Sequence, residues 1–72
     1  MESAENPVIK RNREDWRNAR RAAEVANPAF IEQSGNAVEA EVRKETEDFG
    51  LDVKPGVIAE IVQRQLKRFE RK

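Results

Sequence analysis

The groups this chain offers for chemistry are carboxylates, ammonium and guanidinium cations, and hydroxyls such as those of Ser34 and Thr46; histidine, cysteine and tyrosine are absent. Glu41 and Glu45 stand at i, i+4, and Glu45 and Asp48 at i, i+3. Paired carboxylates do acid–base work only when a pocket forces their affinities for protons apart. On the polar face of a helix the same spacing leaves them solvated and mildly repulsive. A chain of 72 residues has little volume for a pocket of about 300 Å³ or more. Gly35, Gly50 and Gly56 are isolated and do not form a phosphate-gripping loop. Without Cys or His the usual zinc sites are excluded. The expectation is a protein that is not an enzyme, with no cofactor, no metal and no small-molecule substrate.

What remains is charge. The 14 basic and 14 acidic residues cancel overall but are sorted into blocks. Residues 1–9 carry net −2, 10–21 net +4, 22–53 net −6 and 54–72 net +4. Mixed surfaces usually intersperse their signs, so blocks point to internal pairing of segments or to anionic partners. If three helices run up, down and up, the acidic end of the second lies beside the basic start of the first. The end of the third then has only Glu24 and Glu32 near it. Arg64, Lys67, Arg68, Arg71 and Lys72 are thus the charges with least internal explanation, and they form the candidate anion- or nucleic-acid-binding patch.

The elements that must position these groups read as helices, since no segment alternates with a strand period. Residues 1–11 read as a disordered N-terminal tail, with Pro7 biasing Asn6 away from helix. Residues 12–72 read as one helical domain. The first helix is expected at about 13–26, with Asn12 as its N-cap and Trp16, Ala19, Ala23 and Ala26 as its stripe. Asn27-Pro28 ends it and starts a second helix at about 28–49, whose apolar face is Phe30, Ile31, Val38, Val42 and Phe49. The phase of that face survives across Ser34-Gly35-Asn36, which favours a continuous helix over one split there. Gly50 is expected as its left-handed C-cap. The third helix, at about 55–70, opens on Pro55 and carries the strongest stripe: Ile58, Ile61, Val62, Leu66 and Phe69.

The fold class is therefore all-α: a small three-helix bundle, or a helical hairpin that completes its core by dimerising. A core of this size typically yields only about 3–5 kcal/mol, and no disulfide supplements it, so a second copy or a protein partner is the expected source of further stability. The expected function is a non-enzymatic protein–protein interaction or regulatory protein acting through its apolar stripes. The residues assigned to partner binding are Trp16, Phe30, Ile31, Ile58, Ile61, Val62, Leu66 and Phe69. The alternative is a nucleic-acid-associated regulator using the basic end of helix three. A helix-turn-helix reading of residues 42–69 fails because Pro55-Gly56 falls early in the recognition helix. The chain has no apolar run approaching the 18 residues of a membrane span and no signal-peptide pattern, so the expected location is cytoplasmic, away from membranes.

Two segments carry a resemblance. Trp16, followed by Phe30-Ile31-Glu32 and Gly35, resembles the toxin-wrapping tail of the CcdA-type antitoxins. The stretch GLDVKPGVIAEIVQRQLKRFERK resembles the second half of that family's ribbon-helix-helix DNA-binding domain. Together they cover about half of the chain. In the family the DNA-binding part precedes the tail, whereas here the order is reversed, and the strand that would read the major groove has no counterpart. The resemblance implies that Trp16, Phe30, Ile31 and Glu32 face a protein partner.

Overall fold

The structure, a computed structural model, describes residues 6–71, which form an all-α bundle of three helices: α1 (Pro7–Ala26), α2 (Pro28–Glu45) and α3 (Val57–Glu70). There is no strand among the described residues. α1 and α3 run parallel, with α2 antiparallel to both. The start of α1 meets the residues leading into α3, Phe30 at the start of α2 meets Phe69 at the end of α3, and Glu41 meets Gln65.

α1 begins six residues earlier than expected. The Asn6 side chain accepts a hydrogen bond from the Val8 amide at 2.8 Å, and Pro7 takes the first helical position, where its missing N–H costs nothing. Residues 7–11 are therefore helix and not tail; residues 1–5 of the expected tail lie outside the described residues. Asn12 is not a cap but a buried residue in mid-helix. α2 passes unbroken through Ser34-Gly35-Asn36. Asn27 is the one residue between α1 and α2: its amide closes on Ala23 O at 2.8 Å, its carbonyl accepts from the Phe30 amide at 3.0 Å, and its side chain makes no cap bond.

α2 ends at Glu45, four residues short of the expected end. Glu47, Asp48 and Phe49 follow in the left-handed region at φ 50, 61 and 70°. That region costs a residue bearing a Cβ about 1–2 kcal/mol. The run persists because its surroundings hold it. Thr46 Oγ1 donates to Val42 O at 2.8 Å and accepts from the Phe49 amide at 3.0 Å, and the Asp48 amide reaches Arg43 O at 2.7 Å. The turn also returns the Phe49 ring to the core. Gly50 is not the left-handed cap. Its role is steric, since a Cβ there would stand 3.1 Å from Glu47 O. α3 starts two residues later than expected. Lys54-Pro55-Gly56-Val57 forms a turn closed by the Val57 amide on Lys54 O at 3.2 Å. Gly56 takes φ 92° and ψ −11°, as the third position of a type II turn demands, and proline suits the second.

The three stripes meet one another. Trp16, Ala19 and Ala23 of α1, Phe30, Ile31, Val38 and Val42 of α2, Phe49, and Ile58, Ile61, Val62 and Leu66 of α3 form one core. Ile9, Val57 and Phe69 pack on its edge, whereas Ala26 is exposed. A bundle that closes on itself needs no second copy to cover these side chains, so the helical-hairpin alternative does not apply.

The candidate anion-binding surfaces

Residues assigned to apolar docking on sequence grounds stand inside this core. Trp16, Phe30, Ile31, Ile58, Ile61, Val62 and Leu66 are buried, and Phe69 is half-buried. Only Phe69 offers a partner appreciable area, because each helix turns its apolar face toward the other two. Glu32, which the antitoxin resemblance groups with Phe30 and Ile31, is exposed.

The catalytic inventory is equally dispersed. Glu41 accepts a hydrogen bond from Gln65 Nε2 at 2.9 Å, bridging α2 and α3. Glu45 and Asp48 are exposed on the outside of the α2 end. The Thr46 hydroxyl is committed to the backbone on both sides. Among the described residues no three side chains of the metal-binding types gather where they could hold an ion.

The charges remain on the surface, in three settings. The first is structural. Arg11, from the segment read as tail, donates to Val53 O and to Asn12 Oδ1 (3.2 Å) and pairs with Asp52 at 2.9 Å, while its buried Nε has no partner. Asn12 Nδ2 donates to Leu51 O at 2.7 Å and Phe49 O at 3.2 Å. Here one cation at the start of α1 pairs with one acid of the connection to α3.

The second setting is the end of α3. Arg64, Lys67, Arg68 and Arg71 are exposed, and among the described residues none has an ion-pair partner; Lys72 lies outside the described residues. They do not share one concavity. Arg68 edges the α2–α3 groove of about 420 Å³, beside Phe30, Ser34, Ala37 and Phe69. Lys67 and Arg71 flank Glu70, and Arg64 lies with Gly56, Ala59 and Glu60 on the flank of α3.

Sequence reasoning missed the third setting. A groove of about 200 Å³ between α1 and α2 is lined by Arg13, Arg17 and Arg20 from one wall and Arg43 and Glu39 from the other. Its floor is Trp16 and Phe49. Arg43 pairs with Glu39 at 2.9 Å, and its guanidinium carbon stands 5.6 Å from the centre of the Phe49 ring, a cation–π arrangement. Arg17 and Arg20 are exposed, with no ion-pair partner among the described residues. Their i, i+4, i+7 spacing from Arg13 was visible as a signal; Arg43, in the acidic block, was not.

No protein-family model, no curated protein and no solved structure matches this chain.

Proposed function

We propose that this chain is a small non-enzymatic binding protein whose partner is a polyanion, with nucleic acid as the class it serves and regulation as its role. One observation carries the reading: the apolar stripes are consumed by the core, while Arg17 and Arg20 on α1 and Arg64, Arg68 and Arg71 at the end of α3 are exposed and stand without ion-pair partners among the described residues. Surface arginines that answer no internal acid are suited to phosphate, whose oxygens match the guanidinium fork. A cytoplasmic location belongs to this proposal, where nucleic acid is within reach; no helix among the described residues is long and apolar enough to cross a membrane.

The test is a binding titration of the chain with double-stranded DNA across a salt series. Phosphate contact predicts affinity falling steeply as salt rises, because counterions are released on binding. The quadruple variant Lys67→Glu/Arg71→Glu/Arg17→Glu/Arg20→Glu should abolish it. Absence of binding at low salt, or binding indifferent to salt, would refute the reading.

A second reading, docking of a protein partner, keeps one observation in its favour. The α2–α3 groove leaves Phe69 half-buried beside Ser34 and Ala37, the one place where the α3 stripe reaches the surface. It predicts complex formation insensitive to salt and lost in Phe69→Asp.

A further inference from the structure

We propose that the groove between α1 and α2 is a phosphodiester-backbone site and that Glu39 is its built-in competitor. This rests on the polyanion reading above and assigns it a place.

Arg13, Arg17 and Arg20 share one side of α1 and climb it in steps of about 6 and 4.5 Å. Arg43 faces them from α2. The groove thus offers guanidiniums in sequence along one wall and a further one across from it. Consecutive phosphodiesters along a strand each present two non-bridging oxygens to such forks. An acidic protein matches this less well, since its carboxylates end flexible side chains that must each be ordered to make one contact. Among the described residues no lysine lines the groove, so planar, fork-like recognition is available at Arg17 and Arg20, and at Arg43 once Glu39 gives way.

The floor decides what is read. Trp16 and Phe49 are only 7 and 6% exposed, too little for a base to stack on. Backbone charge is therefore what the groove recognises, independent of sequence.

Among the described residues Glu39 is the acid that lines the groove, and its contact with Arg43 engages the guanidinium that a phosphate oxygen would otherwise take. The Phe49 ring under Arg43 keeps the cation in place when that contact is exchanged. An incoming phosphate must displace the carboxylate, so Glu39 lowers affinity for weak or short anions. Neutralising it should tighten binding.

The experiment is fluorescence anisotropy of fluorescein-labelled oligothymidylate at low salt, with circular dichroism confirming equal helicity of every variant. Glu39→Gln should tighten binding about two- to fivefold, the equivalent of roughly one partly exposed ion pair released. Arg17→Glu/Arg20→Glu should weaken it more than tenfold, with Arg20→Gln as a milder variant should the double change lose helicity. Arg68→Glu/Arg71→Glu should weaken it by only about threefold, since the end of α3 adds to the same polyanion reading without forming the groove. If only the last variant loses binding, the site is the end of α3: the polyanion reading stands and the groove falls. If Glu39→Gln leaves affinity unchanged while Arg17→Glu/Arg20→Glu abolishes it, the competitor role is refuted. Unlabelled polyglutamate that displaces the strand at equal charge would overturn the phosphodiester assignment in favour of an acidic protein. If neither the parent nor Glu39→Gln binds, the polyanion reading itself is refuted.

Discussion

The two connections of this bundle solve the same problem in opposite ways. Between α1 and α2 a single residue, Asn27, reverses the chain, and its backbone bonds reach no further than Ala23 and Phe30. Between α2 and α3 the chain takes residues 46–56, four of them left-handed and three of those not glycine, and is held from a distance: Asn12 and Arg11 reach across 37 to 42 positions to the carbonyls of Phe49, Leu51 and Val53. The first connection is specified locally, by a proline that cannot continue a helix but can begin one. The second forms only when α1 lies alongside it, because the energy offsetting its strain comes from side chains elsewhere in the sequence. A tight turn needs little from the rest of the fold, whereas a strained one is stable only as far as the rest of the fold supports it.

That contrast can be broken at its strongest point by Asn12→Leu. The change keeps the volume approximately and leaves the buried Phe49 carbonyl without its donor, which should cost about 1–3 kcal/mol, a large share of what a core this size supplies. Urea unfolding should show a lower midpoint at unchanged slope. Thr46→Val comes next. It removes the hydroxyl that donates to Val42 O and accepts from the Phe49 amide, at an expected cost of about 1–2 kcal/mol, while Thr46→Ser should recover most of it. The smallest effect belongs to the local connection: Pro28→Ala should change stability by less than about 1 kcal/mol, since alanine is itself a good first-turn residue and no side-chain cap is lost. Were Pro28→Ala to destabilise the bundle as much as Asn12→Leu, the distinction between a locally and a remotely specified connection would fail.

The same distinction explains what was legible beforehand. Asn27-Pro28 was read correctly as a helix boundary. Asn6-Pro7 is the same dipeptide and also starts a helix on its proline, here with a side-chain cap that Asn27 lacks, yet the residues after it are so polar that they read as tail. Val8 and Ile9 were the only apolar signal there, and the value of Arg11 and Asn12 lies in partners some forty residues away that no local pattern announces. Phe49 is buried as expected, but not on the second helix: α2 ends at Glu45, and a left-handed turn brings the ring back to the core. The candidate residues divide likewise. The basic end of α3 was visible as a charge block, and the structure leaves it exposed without gathering it into one concavity. The α1–α2 groove was hidden because charge counting assigned Arg43 to an acidic segment, and because Arg13, Arg17 and Arg20 counted as a block to be neutralised.

By itself the sequence determined the class and the frame: three helices in an up-down-up order, continuous helix through Gly35, and an apolar stripe on each helix. Helical periodicity and proline punctuation are short-range information, complete within a few turns of chain. Tertiary structure alone decided that the apolar stripes face one another, that Asn12 holds a strained loop from within a helix, and that one arginine of α2 joins three of α1 over an aromatic floor. The physical reason is that hydrogen bonds and charge grouping depend on distances through space. Those distances exist only once the helices have packed.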